Sequence, residues 1–236
     1  MMRALVIDDE FHAREEMATL LTETGLFETI ETCANAFEGI KAINRVRPDV
    51  VFLDIQMPQV DGFEMLNLVN QDIMPHVVFV TAYEEYSLKA FEEKTLDYLL
   101  KPVSTARLQK TLHKLQQTLA NDEPTAFNAE EIKRIPLLVR RRIKFLNLSA
   151  VEFVSAGESG HFIATAEDEF YTDIALKTLE ERSRLVRCHK QFLVNMDNVM
   201  EIALLDNGLG SIKTKSGAFV PVSRRYLKKI KGKLLI

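Results

Sequence analysis

The 236-residue chain is 47% apolar and 27% charged, a globular balance that excludes a disordered polymer and leaves room for two domains of about 100–120 residues each. It contains no apolar run approaching the ~18–20 residues of a membrane helix, and the opening MMRALVIDDE turns acidic too early for a secretory signal. The net charge of −4 divides unevenly. Residues 1–120 hold 11 Lys/Arg against 19 Asp/Glu, a net −8, and residues 136–236 hold 17 against 11, a net +6. An acidic half suits a bound cation and a basic half suits a polyanion. Cys33 and Cys188 lie too far apart to form a disulfide framework or a zinc site, and they fit two reduced thiols in a cytoplasmic protein.

Short buried runs of Val, Ile, Leu and Phe occur at Ala4–Ile7, Val50–Leu53, Val77–Val80 and Leu96–Leu100, with a weaker one at Thr29–Cys33. These predict strands buried on both faces. Helical spacing lies between and after them. Ala13, Met17, Leu20 and Leu21 share one face, as do Phe37, Ile40 and Ile43, and Leu108, Leu112, Leu115 and Leu119. Five strands alternating with five helices predict a doubly wound α/β domain on a five-stranded parallel sheet, over residues 1–119. The polar stretch NDEPTAFNAEEIK (121–133) sits in a predicted linker, 120–135.

The pattern changes in residues 136–236. Strand-like runs at Arg142–Leu148, Val151–Ser155, His161–Thr165, Glu169–Thr172, Asn198–Leu205, Gly210–Thr214 and Ala218–Val222 are punctuated by Gly, Asn and Asp. The Asp206-Asn207-Gly208 sequence between apolar runs predicts a hairpin. Only Ala175–Arg182 and Arg224–Lys233 carry helical spacing. This half is predicted to be mostly antiparallel β.

Ligands of an open α/β sheet sit beyond the carboxyl ends of its strands. There the sequence places Asp8-Asp9-Glu10, Asp54, Thr81 and Lys101-Pro102. Crowded carboxylates are relieved by a hard cation such as Mg²⁺, and a carboxylate is a nucleophile towards phosphorus. An aspartate-nucleophile phosphatase needs a second acid two residues after the nucleophile, but Asp54 is followed by Ile55 and Gln56. The segments LVIDDE (5–10), FLDIQMPQVDGFE (52–64), VTAYEE (80–85) and DYLLKP (97–102) resemble the receiver domain of bacterial response regulators. The resemblance implies that Asp54 accepts a phosphoryl group from a sensor histidine kinase. It further implies that Asp8, Asp9, Asp54 and the Gln56 backbone carbonyl surround Mg²⁺, and that Thr81 and Lys101 respond to the phosphoryl group. Tyr98 falls at the family's aromatic switch position, and Pro102 at that of a cis peptide. Lys89, Glu92, Asp97 and Arg107 would mark the face, formed by the fourth helix, fifth strand and fifth helix, on which an activated homodimer forms.

Basic residues of the second half cluster at Arg140–Lys144, Arg184–Lys190, Arg224-Arg225 and Lys228–Lys233. No helix-turn-helix or zinc-finger spacing is present, so any reader of double-stranded DNA would be built from loops or turns. IKFLNLSAVEFVSAGESGHF (143–162), RCHKQFLVNMDNVMEI (187–202) and VPVSRRYLKKI (220–230) resemble the LytTR DNA-binding domain. The resemblance implies DNA contacts from His161, Lys190 and Arg225, with Arg187, Asn195 and Arg224 in support. Lys190 stands where many members carry Arg, which removes a bidentate fork but keeps a phosphate contact. His189 reads as structural and Cys188 as packing, although some family members have a redox-responsive thiol there. Together the two resemblances imply a two-component response regulator, not a conventional enzyme, whose phosphorylation promotes dimerisation and DNA binding. From the residues alone, a basic protein-docking module and an RNA binder stay open for the second half. The lack of Trp disfavours base stacking.

Overall fold

The computed structural model describes residues 1–83, 95–121, 127, 130–140, 142–158, 160–205 and 208–234. They form two compact units, Met1–Glu130 and Glu131–Ile236.

The first unit is built on strands β1 (Met2–Ile7), β2 (Phe27–Cys33), β3 (Val50–Leu53), β4 (His76–Thr81) and β5 (Asp97–Leu100). They pair in the order β2-β1-β3-β4-β5, and every pairing is parallel. The described helices are α1 (Phe11–Glu23), α2 (Ala36–Val46), α3 (Gly62–Asn67) and α4 (Thr105–Ala120). The predicted doubly wound fold is therefore present. The predicted dimer-face positions Lys89 and Glu92 lie outside the described residues.

Period-2 alternation sorts the strand residues into two cores. Ala4, Val6, Val50, Phe52, Val78 and Val80 join Met17 and Leu21 of α1 and Leu108, Leu112 and Leu115 of α4. On the opposite face, Gly39 of α2 lets its helix approach so closely that a Cβ there would stand 2.6 Å from Ile7 Cδ1. The backbone knits the carboxyl ends of the strands together. Asp54 N–H donates to Ile7 O at 2.8 Å, Asp8 N–H to Cys33 O at 3.1 Å and Lys101 N–H to Thr81 O at 2.9 Å. The Lys101–Pro102 peptide is cis.

The second unit is mostly antiparallel β, as predicted. Strands β6 (Arg134–Val139) and β7 (Arg142–Asn147) form a hairpin. Strands β8 (Val151–Gly157), β9 (Gly160–Thr165), β10 (Glu169–Thr172), β11 (Val186–His189) and β12 (Phe192–Val194) make a sheet ordered β10-β9-β8-β12-β11. Strands β13 (Val199–Leu204), β14 (Gly210–Thr214) and β15 (Phe219–Val222) make a third sheet. Helices α5 (Leu176–Arg182) and α6 (Arg224–Leu234) complete the unit. Its core gathers Cys188, Val194, Ile212, Val220, Val222, Leu227 and Ile230. Leu227 and Ile230 thus turn one face of α6 inward, while Lys228 and Lys229 stay exposed.

The stretch 120–135 is ordered into both units at its described positions. Phe127 and Ile132 are buried, Ile132 N–H donates to Arg182 O at 2.7 Å, and β6 begins at Arg134. Isolated apolar residues in a polar segment carry no periodicity, so these anchorages leave no pattern in the sequence.

No described helix is long and apolar enough to cross a membrane.

Candidate phosphoacceptor and DNA-binding sites

The carboxyl edge of the parallel sheet gathers the acidic residues. Asp8 and Asp54 are buried at 4% and 6% exposure, and Asp9 beside them is exposed. Oxygens of Asp8, Asp9 and Asp54 lie within 4.8 Å of one another. Lys101, from the end of β5, bridges two of them: its Nζ is 2.7 Å from Asp8 Oδ2 and 2.7 Å from Asp54 Oδ2. Asp8 Oδ1 accepts from Glu10 N–H at 2.9 Å, and Asp54 Oδ1 from Gln56 N–H at 3.2 Å. Arg14, which sequence reasoning did not single out, donates to Asp8 O at 2.6 Å from the first turns of α1. It lies four residues after the acidic run, and that spacing was the available signal.

Electrostatically the cluster is under-neutralised. Burial pushes the Asp8 carboxyl above its ordinary 3.8, and hydrogen bonding to Lys101 and to the Glu10 N–H only partly opposes this. Burial also works against the Lys101 ammonium, but its bonds to Asp54 and Asp8 outweigh that effect and hold it above 10.5. The Lys101 ammonium also lies 3.9 Å from Glu10 Oε2, so among the described residues it is shared between several carboxylates. An all-oxygen donor set of this kind fits Mg²⁺, which takes hard oxygen ligands and retains water.

Thr81 ends β4 fully buried, and its Oγ1 has no hydrogen-bond partner among the described residues. Such a hydroxyl carries a desolvation cost that an arriving phosphoryl oxygen would remove. Tyr98 is half-buried and its hydroxyl donates to Tyr83 O. The loop from Asp54 to α3 makes its return at Gly62, where a Cβ would meet Asp54 O at 2.6 Å. Gly62 is therefore required by a close approach rather than only by a turn.

The basic residues of the second unit separate into exposed ones and holding ones. Lys190 is exposed in the turn between β11 and β12, and Arg224 and Arg225 are exposed at the start of α6. Ser223 N–H donates to Cys188 O at 3.0 Å, so the backbone ties these two segments together. Arg187 is engaged: its Nε donates to Glu180 Oε2 at 2.8 Å and its NH1 to Lys190 O at 3.2 Å. It thereby shapes the turn that presents Lys190. His189 Nδ1 accepts from Gln191 N–H in the same turn, consistent with the structural reading of that ring.

Asn195 is 5% exposed. Its side chain accepts from Asp197 N–H and donates to Leu148 O, so it bonds to the protein's own backbone on both sides. His161, at the start of β9, is half-buried. Burial holds its imidazolium below 6.5, with Asp173 opposing and Arg187 adding to the effect. Cys188 is fully buried, and burial pushes its thiol up to about 12.

Sequence reasoning missed Glu152, which is 2% exposed on β8. Its Oε1 accepts from Ser216 N–H at 2.8 Å, and its Oε2 accepts from Thr214 Oγ1 at 2.7 Å and Ser216 Oγ at 2.5 Å. This one carboxylate ties the five-stranded sheet to the turn between β14 and β15. A lone acid inside VEFV offers no motif by which to find it.

Comparison with known proteins agrees with this geometry. The response regulator receiver domain matches residues 4–113, and the LytTr DNA-binding domain matches residues 141–235. An uncharacterized response regulatory protein of Vibrio cholerae is 48% identical over 234 residues, covering 99% of each chain. A similarly described protein of Vibrio vulnificus is 48% identical over 238 residues, covering 99% of this chain and 98% of its own. The transcriptional regulatory protein BtsR of Salmonella typhimurium is 45% identical over 234 residues, covering 98% of each chain. The chain belongs to the LytTR family of response regulators, in which a receiver domain is joined to a LytTR DNA-binding domain in a transcriptional regulator of a two-component system, not a conventional enzyme.

Proposed function

We propose that a sensor histidine kinase phosphorylates Asp54, and that this promotes dimerisation and sequence-specific binding of double-stranded DNA. The observation that supports this best is the convergence of Asp8, Asp9, Asp54 and Lys101 at the carboxyl edge of the sheet, the edge at which β4 ends in Thr81. Asp8, Asp9, Asp54 and the Gln56 backbone carbonyl would hold Mg²⁺, which when bound neutralises phosphoryl oxygens. An Asp54 carboxylate oxygen attacks the phosphorus of a kinase phosphohistidine in line. The new O–P bond forms as the N–P bond breaks, and the imidazole leaves with its electron pair.

The acyl phosphate carries about −1.5 to −2 charge where the carboxylate carried −1, on a larger group with three exposed oxygens. Lys101 transfers its hydrogen bonds to the phosphoryl oxygens, and Thr81 donates to one of them. Tyr98 gives up Tyr83 O and turns inward, which biases the β5–α4 surface towards a second copy. Paired DNA-binding domains then meet two half-sites at a raised effective concentration. Lys190, Arg224 and Arg225 supply exposed cations, and His161 reaches the duplex as a neutral ring. Arg187 acts by shaping the turn that carries Lys190, and Asn195 supports the domain by holding the backbone at Leu148 and Asp197.

The test is a selection of genomic fragments by the full chain, with and without acetyl phosphate and Mg²⁺, at about 0.15 M salt to suppress non-specific binding. Paired, regularly spaced sites whose enrichment rises with phosphodonor, and does not rise for Asp54→Ala, are the expected result. Enrichment indifferent to phosphodonor removes the Asp54 switch. No enrichment in either condition shifts the second domain towards docking an acidic protein.

A further inference from the structure

Residues 127 and 130 belong to the polar stretch that composition marks as a linker, yet both are fixed to the receiver. Phe127 is buried at 7% exposure. Its carbonyl accepts from Gln71 Nε2 at 3.0 Å, and Glu130 N–H donates to Asn67 Oδ1 at 3.0 Å. Asn67 is the last residue of α3, and Gln71 opens the 3-10 turn that follows it. The receiver unit runs to Glu130 and the second unit starts at Glu131. These bonds therefore grip the chain where it leaves the receiver.

The other end of α3 is fixed at Asp54. Gly62 N–H donates to Ile55 O at 2.9 Å. A Cβ at Gly62 would lie 2.6 Å from Asp54 O and 3.1 Å from Ile55 Cα. Asp61 and Glu64 close a capping box on the helix. The six residues of α3 span only about 9 Å. Their flanks are packed: the rings of Phe63 and Phe79 are 4.7 Å apart, Met65 Sδ lies 3.0 Å from the Cβ position of Gly39, and Met65 and Leu66 are fully buried. A short helix held this closely shifts as one body.

We propose that Phe127 and Glu130 strap the chain to α3 and the turn after it with a hold set by the state of Asp54, so that α3 carries phosphorylation to the start of the second unit. This rests on Asp54 being the phosphoacceptor. A phosphoryl group loads charge and bulk onto the residue whose carbonyl α3 touches. A shift of the 54–62 loop is delivered to Asn67 and Gln71 at the far end. A 3.0 Å bond lengthened by more than about half an ångström is no longer a hydrogen bond, so a small movement of α3 is enough to alter the strap.

The test is amide hydrogen exchange on the full chain with and without acetyl phosphate and Mg²⁺, with phosphate uptake read by intact mass in the same samples. Uptake accompanied by at least a threefold change in exchange over residues 127–131, absent in Asp54→Ala, is expected. The sign of the change says whether phosphorylation seats or frees the strap. Uptake with unchanged exchange overturns the strap and leaves the phosphoacceptor standing. No uptake overturns both. The docking itself is read without phosphodonor in Asn67→Ala and, independently, Gln71→Ala. Either loss should speed exchange of this segment about five- to tenfold, and native exchange rates in both variants would overturn the docking.

Discussion

Lys101→Met isolates the electrostatics of the acidic edge. The ammonium lies 2.7 Å from both Asp8 and Asp54, and the side chains of the three groups are 18%, 5% and 8% exposed. Removing one partner of a buried ion pair costs about 3–5 kcal/mol, because the remaining charge is left buried and unpaired. Repulsion between carboxylates 4.8 Å apart or closer is on the order of 3 kcal/mol at an effective dielectric constant of 20. Proton uptake relieves part of it, since Asp8 is already held above its ordinary range by burial. A loss of about 3 kcal/mol in the receiver unfolding transition is therefore expected at neutral pH without divalent cation. The loss should shrink as pH falls towards about 5, because a raised folded-state pKa favours the protonated fold. Mg²⁺ should stabilise the variant more than the native chain, because no ammonium competes for the same oxygens, and each tenfold gain in affinity adds about 1.4 kcal/mol at saturation. Urea unfolding with Mg²⁺ or chelator, followed by circular dichroism, measures each quantity. A loss below about 1 kcal/mol, or an equal Mg²⁺ response in both chains, would refute the reasoning.

Glu152→Ala should destabilise the second unit by about 3 kcal/mol or more, since it leaves Thr214 and Ser216 without their buried acceptor; a loss under 1 kcal/mol in denaturant unfolding argues against that role. Burial raises the Glu152 carboxyl, but bonds from Ser216 and Thr214 outweigh it and hold the group below 4.5. Its contribution is then present above the unfolded-state pKa and is lost as pH falls through the folded one, so acid titration should unfold native chain and Glu152→Gln with different pH profiles. Cys188, buried and pushed up to about 12, should react with a thiol reagent only as fast as the second unit opens; rapid labelling of native protein would contradict this. Arg225→Ala should cost about 1–3 kcal/mol of operator affinity if the residue reads a base and leave stability unchanged. Asn195→Ala should lower stability by a similar amount, and paired binding and melting measurements tell the two apart.

How much of this was legible in the sequence depended on where each signal resides. The parallel sheet announced itself because β1, β3 and β4 each carry a continuous apolar run with a polar residue at its end, and the parallel order of the strands brought Asp8, Asp54, Thr81 and Lys101 to one edge. β11 and β12 did not, because strands of four and three residues in VRCHKQFLV are too short and too interrupted by charge to show alternation. Arg187 and Asn195 were grouped with the DNA contacts because residue type and neighbourhood are visible in sequence. What each side chain bonds to is not, and that decides whether it faces a ligand or holds a loop. Glu152 and Phe127 illustrate the same limit. A buried carboxylate and an anchored backbone carbonyl are defined by partners 62–64 and 56 residues away, and no local pattern encodes those distances.

Asp97 and Arg107 were expected to offer charge to a second copy. They are spent on each other. Arg107 NH1 and NH2 reach Asp97 Oδ2 and Oδ1 at 2.8 and 2.6 Å, and Thr111 Oγ1 donates to Asp97 Oδ2 at 2.6 Å. Burial raises the Asp97 carboxyl, but the bonds from Arg107, Thr111 and the Tyr98 N–H prevail and hold it below 3.8. The fork is closed bidentately within the chain. Its other contacts suggest what it does instead. Asp97 Oδ1 accepts from Tyr98 N–H at 2.9 Å, and Arg107 NH2 donates to Tyr98 O at 3.0 Å. The Tyr98 carbonyl is thereby tied to Arg107 of α4 and its N–H to Asp97 of β5, while its side chain is held by the hydroxyl bond to Tyr83 O. Fixed backbone and releasable ring are the two properties a side-chain switch requires. In the switch proposed above, β5 would keep its register with β4 while the Tyr98 ring alone changes rotamer.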